Sequence, residues 1–217
     1  MNSWRRRIVL GLALVVASLL VAGLVLYWKV KRVPVFYQQV EVLDPQQRAA
    51  SHAGLLEKVE QLKKDVRFSP AYKISLTEEQ LNSWLAENHD SSSDPFYRPR
   101  LTICPDGIRI ACRARYKSWQ TVISAQLTVE MTGRENVVRV HVASIQAGSL
   151  SIGWDRVLDL LRQAVERNGL ETSWSSGDGE ATVDIIVPSR WAPSPRHLVL
   201  ESIQLTEGKI TLRGQAD

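Results

Sequence analysis

Residues Ile8 to Trp28 form a run of 21 positions without a single charge. At about 1.5 Å rise per residue a helix of that length covers roughly 31 Å, matching a bilayer hydrocarbon core of about 30 Å. Arg5, Arg6 and Arg7 precede the run, and Lys29, Lys31 and Arg32 follow it. Trp4, Tyr27 and Trp28 stand where aromatic residues meet the two headgroup belts. The pattern predicts one transmembrane helix. A cleaved secretory signal is the rival reading, but it calls for an apolar core of about 7 to 15 residues followed by a small-x-small site. Here the run is longer, and Ala17-Ser18 and Ala22-Gly23 lie inside it.

Three basic residues on each side nearly balance the positive-inside count. The short tail with three consecutive arginines is the part expected to stay in the cytoplasm. That arrangement predicts a tail and anchor over 1–32, a juxtamembrane connector over 33–44 and an extracytoplasmic α+β domain over 45–217.

The formal charge of +4 belongs to the anchor region. Six of the 27 Lys/Arg and none of the 23 Asp/Glu fall in residues 1–32, so the remainder carries 21 against 23, a net of −2. A nucleic-acid-binding domain would concentrate positive charge on its folded part, so no nucleic-acid partner is expected. The two cysteines flank Pro105-Asp106-Gly107. A hairpin centred on Asp106-Gly107 would set Cys104 opposite Arg109 and Cys112 opposite Leu101, placing the sulfurs on opposite faces. A three-residue loop would leave them too far apart along one face for a disulfide. Two free, buried thiols are expected.

Beyond the connector, Asp44-Pro45 opens a helix: Asp44 suits an N-cap, Pro45 the first helical position, and Gln47 a capping-box partner. Leu55, Val59, Leu62 and Val66 form its apolar stripe, and the helix should end near Arg67. A short strand at Lys73 to Leu76 leads into a second helix, where Thr77 and Gln80 make a capping box and Leu76 and Leu81 a hydrophobic staple. Pro95 and Pro99, around Phe96 and Tyr97, mark a loop after it.

From Arg100 the period becomes two. Ile108, Ile110, Cys112, Ala114 and Tyr116 alternate with Arg109, Arg113, Arg115 and Lys117. Thr121, Ile123, Ala125, Leu127, Val129 and Met131 alternate with Gln120, Ser124, Gln126, Thr128 and Glu130. After a turn at Gly133 to Asn136, Val138, Val140 and Val142 share a face. The phase then slips to Ala143, Ile145 and Ala147, which a β-bulge near Ala143-Ser144 would explain. A third helix is predicted from Gly153 to Asn168, striped by Trp154, Val157, Leu158, Leu161 and Val165. Ser176-Gly177-Asp178-Gly179 reads as a hairpin turn, and Val183, Ile185 and Val187 as a strand. A last hairpin at Glu207-Gly208 should pair Ile203 with Leu212 and Leu205 with Ile210. The fold class expected is α+β: a membrane helix, then one extended, curved antiparallel sheet, opening with a three-stranded meander, packed on amphipathic helices.

Chemistry is sparse. The histidines, His52, His89, His141 and His197, lie in four different elements, none at metal-helix spacing, so neither a metal nor another cofactor is expected. There is no nucleophile elbow, phosphate-binding glycine loop or calcium loop. Glu78 and Glu79 are accounted for by the helix dipole. The basic residues Arg109, Arg113, Arg115 and Lys117 read either as a charged outer strand face or as a contact for anionic headgroups or an acidic partner, about 1 kcal/mol per residue near such a surface.

The segment Ile74-Ser75-Leu76-Thr77-Glu78-Glu79-Gln80-Leu81-Asn82 resembles the post-anchor motif of YpmS-like single-span bacterial envelope proteins. Pro105-Asp106-Gly107, Gly148-Ser149-Leu150-Ser151-Ile152-Gly153 and the strand pair around Leu205 to Ile210 are similar too, in the same order over most of residues 70 to 214. The long first helix and the Ser-rich loop after Asn88 depart from that pattern. The resemblance implies an envelope location and a sheet-wrapped hydrophobic groove, with no catalytic residues to carry over. Three functions follow as expectations. The first is binding of a lipid or other amphiphile in a groove lined by Leu127, Val129, Trp154, Leu158 and Leu161. The second is docking of another envelope protein, and the third a hydrolase whose site is assembled from distant residues.

Overall fold

The computed structural model describes residues 21, 23–25, 27–39, 44–89, 96–116, 119–151, 171–177, 180–190 and 196–217. Most of the apolar run lies outside them, as does the predicted helix from Gly153 to Asn168. Among the described residues no helix is long and apolar enough to cross a membrane. The described part of the run, residues 21, 23–25, 27 and 28, is helical and exposes its apolar side chains, Trp28 at 71%.

The domain is α+β with antiparallel sheets and few helices. A short helix α1 (Val35–Gln39) interrupts the connector. Helix α2 (Pro45–Phe68) starts as its sequence requires, the Asp44 carboxylate accepting from the amides of Gln46 and Gln47 at 2.8 and 2.9 Å. Strand β1 (Ala71–Thr77) runs into helix α3 (Glu78–His89). At that junction the Thr77 amide donates to Gln80 Oε1 at 3.1 Å, and the Gln80 amide to Thr77 Oγ1 at 3.3 Å. This is the reciprocal capping box.

The remaining strands are β2 (Phe96–Cys104), β3 (Gly107–Tyr116), β4 (Trp119–Met131), β5 (Val137–Ala147), β6 (Leu150–Ser151), β7 (Glu171–Gly177), β8 (Glu180–Ile186), β9 (Leu198–Thr206) and β10 (Lys209–Ala216). They make two sheets rather than the one expected. The larger has the order β2-β3-β4-β5-β8-β7, with β6 beside β5, and the smaller the order β1-β10-β9. The meander holds four strands instead of three. Its first strand begins at Phe96, inside the expected loop, and accommodates Pro99 by a register shift between Tyr97 and Arg100, with Arg98 at φ 53°. Proline has no N–H for a ladder, so a bulge lets the strand pass it.

Two register predictions hold. The ladder between β4 and β5 shifts between Gln126 and Leu127, skipping Ala143, where the apolar phase slips. The final hairpin pairs Ile203 with Leu212 and Leu205 with Ile210. The first hairpin differs: Cys104 pairs with Gly107, so its turn is Pro105-Asp106. The fixed φ of proline suits the first central position of a turn. Gly107, at φ 151°, lies so close to the Leu127 carbonyl that a Cβ would collide with it. Both cysteines are free, and they are half-buried rather than buried. Their parity puts them on opposite faces.

Polar side chains close the sheet edges. Asn82 binds both backbone groups of Leu101 at 2.8 Å, and the Ile103 amide donates to Glu78 Oε2 at 2.9 Å. Ile103 passes its carbonyl to the amide of Gly208 at 2.9 Å, which links the edge of the large sheet to a turn of the small one. Asn136 does the same for β9, donating to the Leu198 carbonyl and accepting from the Leu200 amide. Buried backbone groups left unpaired would each cost about 1–3 kcal/mol, so these side chains hold the two sheets in place. Ile103 and Ile145, 0% and 1% exposed, are the largest fully buried apolar side chains among the described residues.

Candidate functional site

The apolar face of the large sheet follows from its register. Ile108, Leu127, Val142 and Ala181 make one cross-strand row, and Val129, Val140, Val183 and Trp174 the next. Val142, Ile145 and Ala181 form the buried part, with Ile123, Ala125, Leu127 and Trp174 packed partly buried against them. Leu127 and Val129 thus lie side by side on this face as expected, both half-buried. Trp154, Leu158 and Leu161, the other residues assigned to the groove, lie outside the described residues.

The chain leaving the apolar run is fastened to one end of this face. Thr121 Oγ1 donates to the Val30 carbonyl at 2.7 Å. The amide and hydroxyl of Ser149 donate to the Lys29 carbonyl at 2.9 and 3.1 Å. Gly148, at φ 64°, has no room for a Cβ because the carbonyls of Lys29 and Val30 press against it. From Thr121 to Met131 the apolar positions of β4 run about 33 Å from that fastening, at roughly 3.3 Å per residue. Sequence reading missed this junction because it joins residues some 90 to 120 positions apart.

The opposite face carries the basic residues, and the structure separates them. Arg109 sits at the turn end of β3, 3.9 Å from Asp106. Arg113 lies against Tyr37 of α1, whose hydroxyl donates to the Arg98 carbonyl at 2.8 Å. Burial raises the Tyr37 phenol above its ordinary pKa, with Arg113 opposing it. Arg115 stacks 5.2 Å from the ring centroid of Tyr97. Lys117 lies outside the described residues. Each described arginine therefore has a partner within the protein. This face is also less open than its polar alternation suggests, since Ala111, Val122 and Ser124 are buried on it.

Two polar clusters lie farther along the same face. Asp184 receives Arg139 at 2.8 Å and also pairs with Arg134. The Arg139 hydrogen bond holds the Asp184 carboxyl below its ordinary pKa against the opposing effect of burial. His141 lies 3.0 Å from Glu130 and 3.2 Å from Thr182 Oγ1. That row aligns an acid, an imidazole and a hydroxyl, the elements of proton transfer. It stands exposed, with Glu130 at 56% and His141 at 35%. Only the cross-strand register brings the three together, so no local motif could have announced them.

The chain matches no protein-family model, no curated protein and no solved structure.

Proposed function

We propose that this is a single-span, membrane-anchored envelope protein, non-catalytic, whose extracytoplasmic α+β domain binds a lipid or other amphiphile on the apolar face of its large sheet. The observation that carries the reading is the junction at Thr121 and Ser149. It sets the end of the apolar run at the start of a half-buried apolar strand about 33 Å long. An acyl chain leaving the bilayer beside the anchor would meet Ile123, Ala125, Leu127 and Val129 in succession. Each methylene it buries there contributes about 0.8 kcal/mol. The exposed apolar side chains of the helical segment that carries Leu24, Val25 and Trp28, and the resemblance to YpmS-like envelope proteins, support the location.

The test uses a phospholipid with a photoactivatable acyl chain, incorporated into membranes carrying the full chain. Labelled peptides should map to 119–131 and 137–147. Labelling confined to residues 8–28 overturns the reading. In this topology, protease added to spheroplasts digests the domain.

A further inference from the structure

The small sheet gathers positive charge on its polar face. Lys73 and Ser75 of β1 share that face with Lys209, Thr211 and Arg213 of β10, and Gln204 of β9 stands beside Thr211. Lys73, Lys209 and Arg213 are exposed, while Ile74 on the other face is buried. The three strands hold one acid, Glu201, which accepts from Gln215 at 2.6 Å. Among the described residues no acid lies within ion-pair distance of Lys73, Lys209 or Arg213. On the large sheet, by contrast, Arg109, Arg113, Arg115 and Arg139 all have partners.

Lys73 stands directly opposite Arg213 in the register, an arrangement that repels. Protection of a sheet edge does not account for it, because β10 is the central strand. A bound anion does, since it turns the repelling pair into a clamp. Beside that pair the hydroxyls of Ser75 and Thr211 share one hydrogen bond at 2.9 Å, which leaves the proton of one of them to donate outward. An ammonium, a guanidinium and a hydroxyl together offer more donors than the two oxygens of a carboxylate take, and suit a phosphate. Lys209 lies on the same face about 13 Å along β10 from Arg213. One phosphate cannot meet both, but two on one chain can.

The small sheet is tied to the large one through Gly208 on Ile103 and through Asn136 on Leu198 and Leu200. Ile103 adjoins the turn between β2 and β3, and Asn136 lies in the turn between β4 and β5. Both are at the end of the large sheet opposite the anchor junction at Thr121 and Ser149. We infer that this face binds an extended, phosphate-bearing polymer that reaches the domain from beyond the bilayer holding the anchor. The face carries no aromatic side chain on which nucleobases could stack, and no apolar anchor of the kind that dominates protein interfaces. Only the exclusion of the chain's own bilayer rests on the membrane-anchored reading.

The test is lysine acetylation of the full chain in phosphatidylcholine nanodiscs, read residue by residue by mass spectrometry. Linear polyphosphate should protect Lys73 and Lys209 while Lys64 of α2 stays reactive, and about 1 M salt should abolish the protection. Arg213→Gln should raise the polyphosphate concentration that protects Lys73 by about three- to fivefold. Its unfolding midpoint should be no lower than the parent's, since a repulsion is removed. Arg213→Lys and Arg109→Gln should leave the protection as it is. Protection of Lys64 equal to that of Lys73 overturns the inference, as does the same protection of Lys73 in the parent and in Arg213→Gln. Equal protection by polyglutamate would overturn it in favour of an acidic protein, and by orthophosphate at the same phosphate concentration in favour of single ions. Protection in phosphatidylglycerol discs without polymer would assign the face to the chain's own bilayer and overturn it too. Lysine protection without photolabelling of β4 would leave this face standing and overturn the amphiphile reading. Photolabelling without lysine protection would do the reverse.

Discussion

The side-chain amide of Asn82 satisfies both backbone groups of Leu101, donating to its carbonyl and accepting from its amide at 2.8 Å each. Asn82 is 8% exposed, so water does not replace it when it is lost. Asn82→Ala should destabilise the domain by on the order of 2–4 kcal/mol, because two backbone groups lose their partners at once. Thermal unfolding followed by circular dichroism checks this, and a loss below about 0.5 kcal/mol would show that the edge is closed by other means.

Gly148→Ala should loosen the anchor junction. The left-handed backbone there costs a residue with a Cβ about 1–2 kcal/mol, and the added carbon meets the carbonyls of Lys29 and Val30. Exchange of the Ser149 amide hydrogen, protected by the Lys29 carbonyl, should accelerate by about tenfold or more in the variant.

Asp184 links stability to pH. Its carboxyl titrates lower in the folded chain than its ordinary value, mainly through the Arg139 hydrogen bond. A group of this kind stabilises fully above the unfolded carboxylate pKa of about 3.9, and its contribution fades as pH falls through the folded value. Asp184→Asn should therefore lower the unfolding midpoint at pH 7, and the gap to the parent should narrow on acidification below pH 4. A gap independent of pH would assign the effect to packing.

The cysteines should differ in reactivity. Burial pushes the Cys112 thiol up to about 11, leaving roughly one molecule in a thousand as thiolate at pH 8. Maleimide should modify Cys104 well before Cys112 in the folded chain, with both equal after unfolding. Opposite-face placement predicts no internal disulfide on oxidation.

What could be read from sequence was set by chain distance. The capping box at Thr77 and Gln80, the Asp44 cap, the bulge at Ala143 and the pairing of Ile203 with Leu212 depend on residues within one element or one hairpin. Periodicity and turn chemistry report on these directly. The first hairpin was displaced by one residue because Gly107 is required by the approach of Leu127, twenty residues away, rather than by the turn. The division into two sheets was hidden for the same reason, since Asn82 and Asn136 act on strands 19 and more than 60 residues distant. Of the candidate site, the alternation along β4 put Leu127 and Val129 on the apolar face. The junction of Val30 with Thr121, which gives that face its proposed relation to the bilayer, had no local signal at all. The basic face was legible as a row of charges, while its partners Asp106, Tyr37 and Tyr97 were not.

The central claim is that the apolar face of the large sheet holds an amphiphile rather than another protein. Replacing Leu127 in the full chain with a photo-crosslinking amino acid, and irradiating intact membranes, reads the occupant from the mass of the adduct. The account predicts an adduct of lipid mass at position 127, and none when the same amino acid replaces Gln126 on the opposite face. An adduct of protein mass at 127, or equal lipid capture from both positions, would contradict it.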